Sequence, residues 1–273
     1  MAFKADLINL NLDEVKKYSV TNNDFTSIFL YALSTATPGI ETTAVRIAQL
    51  AKKQILDKQL KNEIDLFINQ ETNHTKIHNI WNKHIFSTCK SNEFLLNREN
   101  YINSIRKKYF SKNKDKLNEM VYHMDILESL GGTLFIWVFS SHLQDLSNEE
   151  KTMWGWHGIE EIEHSHVSNN IPKLFEKVPI YKKIYRRIIC LFLPILELLY
   201  RTFKIASNDN LFRKKSFYFD TIKFFFIYKN FPKLMISLIA KLCFNRNYYS
   251  KKRLTDWSKD KDKFLIKTTS SFT

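Results

Sequence analysis

Glycine, proline and cysteine are all scarce. The chain holds five glycines and five prolines in 273 residues, with no glycine after Gly158. All-β and dinucleotide-binding folds use glycine in turns and phosphate loops, so the shortage points to helices. Three cysteines, Cys89, Cys190 and Cys243, lie far apart and form no CxxC. An odd, scattered set argues against a secreted disulfide framework. Long apolar runs are missing too. The run Ile188–Tyr200 is interrupted by Pro194 and Glu197, well short of the ~20 apolar residues of a spanning helix. The N-terminus shows no apolar core of the signal-peptide kind, so a cytoplasmic protein is expected.

What is present is positive charge, unevenly placed. The net charge is +14; residues 171–273 carry 23 lysines and arginines against seven acids, while residues 1–170 carry 19 against 21. Two parts are expected: a near-neutral helical bundle over 1–170 and a basic, aromatic-rich helical extension over 171–273, packed on or beside it.

Within 1–170 the apolar spacing predicts a helix over about 24–36 that ends near Thr37-Pro38-Gly39. Those two breakers then open a second helix that carries Glu41. A helix through Phe67, Ile77 and Ile80 follows. The polar stretch "STCKSNEFLLNREN" reads as loop and crossover. A long helix from about Asn118 comes next, then another capped by Ser147 with Glu150 three residues on.

Histidine and glutamate concentrate in "HGIEEIEHSH", residues 157–166. At ~100° per residue, His157, Glu161 and His164 share one helix face with Glu160 at its edge. Glu163 and His166 point elsewhere despite their own ExxH spacing and are expected to be bystanders. In "QETNHTKIH", Glu71, His74 and His78 fall on one narrow face. Each ExxH, Glu71/His74 and Glu161/His164, follows a lone helical glutamate, Glu41 or Glu128. This order of Glu, ExxH, crossover, Glu, ExxH matches helical bundles with two carboxylate-bridged metals. Two adjacent divalent ions repel, so carboxylates must bridge and neutralise them. One imidazole per ion favours iron, manganese or zinc over calcium or magnesium. The expected fold is all-α: a ferritin-like four-helix bundle with a long crossover and additional C-terminal helices.

"FTSIFLYALSTATPGIE", "LFINQETNHTKIHN", "ILESLGGT" and "WHGIEEIEHSHV" resemble signature blocks of the bacterial family called predicted metal-dependent hydrolases, over about residues 24–170. The family often carries Pro-x-Gly-Glu before its first ligand. Here Pro38-Gly39-Ile40-Glu41 keeps the glutamate in a shifted register. More distantly, His157, Glu161 and His164 form H-x3-E-x2-H, which resembles the fourth-helix pattern of the ferritin-like di-iron arylamine N-oxygenases. That resemblance implies His157 as an added ligand to the second metal, with His78 doing the same for the first.

The site expectation is therefore Glu41, Glu71 and His74 on one ion and Glu128, Glu161 and His164 on the other, with Glu71 and Glu161 bridging and His157 and His78 supplementary. Tyr122, His123, Asp125 and Glu160 are candidates for the surrounding shell. Gly131 and Gly132, one turn past Glu128, cost ~1 kcal/mol each inside a helix and call for either close packing or space beside the metals. Two divalent ions, iron favoured over manganese or zinc, with an oxygenase or oxidase acting on a small and possibly apolar substrate, form the leading expectation. A hydrolase using a metal-activated water is the alternative, and a non-enzymatic metal-binding or membrane-surface protein is the third. No nucleic-acid reader motif accompanies the charge, so nucleic acid is not an expected partner. Residues 181–253 are candidates for peripheral contact with an anionic membrane, at the inner face. The oligomeric state is left open, a homodimer included.

Overall fold

A computed structural model describes residues 23–244 apart from 89, 114, 176 and 177, together with residues 8, 10–15, 20 and 256. Among the described residues the secondary structure is helical, with no strand. Eight α-helices follow in order: α1 (Asp24–Lys52), α2 (Lys58–Thr88), α3 (Asn92–Lys112), α4 (Leu117–Ser141), α5 (Asn148–Asn170), α6 (Ile180–Asn208), α7 (Lys215–Phe226) and α8 (Phe231–Phe244). The all-α expectation holds.

α1 is the central element. Its residues from Phe25 to Thr37 are buried all round, the signature of a helix with neighbours on every side. It packs against α2, α4, α6 and α7, while α4 packs on α5 and α5 on α2. α1, α2, α4 and α5 thus enclose a common interior. One apolar core takes Phe29 from α1, Trp137 from α4 and Trp154 from α5 together with Ile195, Phe224 and Leu238 from α6, α7 and α8. The C-terminal helices share the core of the first four. Fully burying side chains of this size contributes roughly 1.5–3 kcal/mol each.

Two expected boundaries need correction. Pro38 and Gly39 do not separate two helices: α1 runs through them without interruption. Proline at 38 removes the N–H that would bond the carbonyl of Ser34 four residues back. Asn82 of α2 supplies the substitute, donating from Nδ2 to that carbonyl at 2.9 Å. The breaker is tolerated because a neighbouring helix satisfies the freed group. Gly39 serves a different end: a Cβ there would lie 1.7 Å from the Arg106 guanidinium, so the glycine lets α3 lay an arginine against α1. The second correction is α3 itself, a 21-residue helix where a loop and crossover were expected. It buries only Leu95 and Phe110, so its sequence shows little apolar periodicity. The start of α5 follows expectation, with the Glu150 carboxylate accepting the Ser147 backbone N–H at 3.1 Å.

Candidate metal centre

Four helices deliver the site. α1 contributes Glu41, α2 contributes Glu71, His74 and His78, α4 contributes Glu128, and α5 contributes His157, Glu160, Glu161 and His164; all nine are buried. Two compact donor groups form within this set, Glu71, His74, Glu161 and His164 in one and Glu41, His78 and His157 in the other. The partition differs from the expected Glu41/Glu71/His74 and Glu128/Glu161/His164. Glu128 lies outside both compact groups, its carboxylate 3.9 Å from His164 Nδ1.

Hydrogen bonds decide where the imidazole lone pairs point. The chain of argument starts at the Ser34 carbonyl, which can only accept, so Asn82 Nδ2 faces it and Asn82 Oδ1 faces the other way. Ser34 Oγ donates to that Oδ1 at 2.7 Å. Its single proton is then used, so it must accept from His78 Nδ1 at 2.8 Å. Burial and then the charge of His74 press His78 down to about 3. The ring is neutral, and its Nε2 accepts from His157 Nδ1 at 2.8 Å. His157 is also held far below its usual range, by burial first and by three neighbouring histidines second. Its Nε2 therefore presents a lone pair, 3.0 Å from Glu161 Oε1 and 3.4 Å from Glu41 Oε1. Two acceptors at that range need a proton or a cation between them.

His74 is ordered in the same sense. Glu160 Oε2 takes His74 Nε2–H at 2.9 Å, the carboxylate–histidine pairing common behind metal-bound imidazoles. The opposite nitrogen, Nδ1, has no hydrogen-bond partner and lies 3.7 Å from Glu41 Oε1 and 3.9 Å from Glu71 Oε2. His164 Nδ1 is 2.6 Å from Glu71 Oε1, yet neither atom has an aligned hydrogen-bond partner. Three imidazole nitrogens thus converge on carboxylate oxygens, several of them buried without donors. Such a set is costly in a dry interior without compensating cations, and its carboxylate and imidazole donors are of the kind that hold divalent metal ions. The donor set fits the metals that the sequence implies.

The electrostatics carry the same message. Burial and then the charge of Glu71 push Glu41 and Glu128 well above the carboxylate range. Burial also takes Glu161 up to about 7, with His164 opposing. Burial opposes ionisation of Glu71, but His164 and His74 hold it down to about 2. Burial likewise opposes protonation of His74 and His164, whose values are nevertheless raised, chiefly by Glu160 and Glu71 respectively.

Around the donors, Phe135 stacks on the His157 ring at 3.5 Å between centroids, and Trp156 stands edge-on to His74 at 4.8 Å. Thr75 Oγ1 donates to Glu41 Oε2 at 3.1 Å. A cavity of about 480 Å³ reaches Glu41, Glu71, Glu128 and Glu161 and is otherwise lined largely by apolar side chains such as Leu33, Ile40, Leu127 and Leu134. The two glycines differ in what they face. Gly131 faces the cavity with nothing within 4 Å of a Cβ, whereas a Cβ on Gly132 would meet Glu161 Oε2 at 3.3 Å.

Of the outer-shell candidates, Glu160 touches the donors directly. His123 lines the cavity, its Nδ1 3.8 Å from Cys190 Sγ. Tyr122 and Asp125 face the C-terminal helices instead: Lys183 lies 5.5 Å over the Tyr122 ring, and Lys241, Arg187 and Lys173 act on Asp125. Glu163 accepts from Gln70 Nε2 at 3.0 Å and belongs to neither donor group; the side chain of His166 lies outside the described residues. Ser34, Asn82 and Thr75 went unpredicted. Their signal is spacing on the ligand faces, since Ser34 precedes Glu41 by seven residues, and Thr75 and Asn82 follow Glu71 and His78 by four.

A family model described as a predicted metal-dependent hydrolase matches residues 7–254. No curated protein and no solved structure matches the chain.

Proposed function

The chain belongs to the family of predicted metal-dependent hydrolases, and from that premise we propose that it hydrolyses an apolar small-molecule substrate at a two-metal centre. The observation that carries the proposal is the convergence of His74 Nδ1, His157 Nε2 and His164 Nδ1 on buried carboxylates at the inner end of an apolar cavity. In this reading Glu41, Glu71, Glu161 and Glu128 with those three histidines hold the ions, and the arrangement is ferritin-like. His78 takes a positioning role, because both of its nitrogens are already engaged. Between the two chemistries left open by the sequence, the family description favours hydrolysis, and nothing in the site specifically favours iron or dioxygen, so the oxygenase expectation is set aside. Two divalent ions held by these residues would supply Lewis acidity and lower the pKa of water. The protein's own part is positional. Glu160, Thr75 and the Ser34–Asn82–His78 series fix the donors, Gly132 leaves room for the Glu161 carboxylate, and the cavity wall orients the substrate and limits water.

The test is turnover of p-nitrophenyl esters of medium-chain acids by chelator-treated protein reloaded with zinc, manganese or ferrous iron, with oxygen uptake followed in parallel. Ester hydrolysis that requires metal and is lost in Glu71→Ala is expected. Oxygen uptake without any metal-dependent hydrolysis would return the oxygenase reading.

A further inference from the structure

α6 carries its apolar residues on two sides. Its inner face packs Leu191, Ile195, Leu198 and Ile205 into the core. A second stripe, Tyr181, Ile184, Ile188, Phe192, Leu196 and Tyr200, is half or more exposed, with Tyr181 67 % accessible. At 29 residues the helix is ~43 Å long, and the outer stripe runs along most of it. Soluble surfaces seldom leave so extended an apolar band uncovered. No helix among the described residues is long and apolar enough to cross a membrane.

The band continues onto neighbouring elements at both sides. Arg98 lies over the rings of Tyr200 and Tyr101 at 5.3 and 5.4 Å, joining α6 to the exposed Tyr101 of α3. Phe203 stacks on Phe212 at 6.5 Å, and Phe212 touches Tyr218 at the same distance, which carries the surface to α7. Cations border it. Lys204, exposed, lies 6.0 Å over the Phe94 ring, and the exposed Arg213 and Lys215 follow Phe212 in the chain, while Glu197 and Glu99 are neutralised by Arg98 and Arg201. The surface also contains the cavity mouth, since Leu193, Tyr101 and Ile105 line the cavity and are each at least half exposed.

We propose that this α6–α3–α7 face docks on an anionic lipid bilayer and opens the cavity mouth toward its apolar layer. Two features favour lipid over a second copy of the chain. A two-fold contact through this face would set its basic border against itself, whereas anionic headgroups complement it. Aromatic rings flanked by lysine and arginine also suit the headgroup boundary. Of the stretch 181–253 named from the sequence, residues 245–253 lie outside the described residues, and the docking face is confined to the described helices.

The experiment is flotation of the full-length protein with vesicles of phosphatidylcholine alone or with 30 % phosphatidylglycerol, followed by hydrogen exchange on the bound protein. Binding to the anionic vesicles alone is expected, weakening more than tenfold in Ile188→Glu/Leu196→Glu. That variant should keep the melting temperature and metal content of the parent. Added protection should fall on α6 and on the Tyr101–Ile105 turn of α3. Equal binding by the charge variant would overturn the proposal, because attraction of the basic sequence without this face would then suffice. A dimer that the variant breaks, with no vesicle binding by the parent, would overturn it in favour of a second copy.

Discussion

His157 shows how much of the site is set by the residues behind it. Its lone pair points at Glu41 and Glu161 because Asn82, Ser34 and His78 pass a fixed hydrogen-bond direction across two helices. Breaking that series should disorder the ring tautomer and leave the cluster assembled. Asn82→Leu is therefore expected to weaken divalent-metal binding ~10–100-fold, the usual scale for loss of an outer partner, with Glu163→Gln unchanged; competition titration against a chromophoric chelator measures both. The pH response follows from the same groups. Glu41, Glu128, Glu161, His74 and His164 all have raised folded-state values, so the stability each contributes is lost as pH rises through that value. Glu71, His78 and His157 are depressed, and their contribution is complete above the ordinary histidine value of ~6.5. Metal-free protein should then lose melting temperature between about pH 6.5 and 8, near the Glu161 value of about 7. Metal displaces those protons, so the loaded protein should lack this decline; paired thermal scans with and without chelator test it.

At the scale of elements, sequence periodicity was most informative where helices are amphipathic and least where other helices override local chemistry. α2 was legible from the helical spacing of Ile64, Phe67 and Ile77, whereas α5, buried nearly all round from Thr152 to Glu161, was legible from its Ser147–Glu150 cap and the spacing of His157, Glu161 and His164. α1 was not. Pro38 is a breaker in isolation, and it is tolerated because Asn82, 48 residues from Ser34, satisfies the Ser34 carbonyl that the proline leaves free. α3 was missed for the opposite reason, a helix with two buried residues and hence almost no periodic signal. The proline also links helix geometry to the site, because it vacates the acceptor from which the hydrogen-bond series begins. Pro38→Ala should raise the melting temperature of the metal-free protein, since proline costs ~3 kcal/mol in a helix interior. It should weaken metal binding at the same time, as the restored N–H competes with Asn82 for the Ser34 carbonyl. A variant with unchanged metal affinity would show that Pro38 has no part in ordering the site.

At the scale of the molecule, the first four ligand-bearing helices do not stand alone. α6, α7 and α8 close the same core and α6 walls the cavity, so a chain cut after residue 170 should expose apolar surface and aggregate. The sequence divided the chain by charge into a bundle and an extension packed on or beside it, and among the described residues the two parts contribute to one apolar core, which charge, a property of the surface, does not report. With four carboxylates and three converging imidazoles buried together, metal should stabilise the fold as well as the site. Loading at 100 times the dissociation constant should add ~2.7 kcal/mol per independent ion, seen as a chelator-reversible rise in melting temperature.

The most direct measurement is the number of divalent ions per chain, taken by mass spectrometry of the purified protein and of Glu71→Ala and His164→Ala. Two ions in the parent, with loss in both variants while the helical circular dichroism persists, is the predicted result. A parent that holds no divalent ion after reloading, or variants that retain both, would contradict the account.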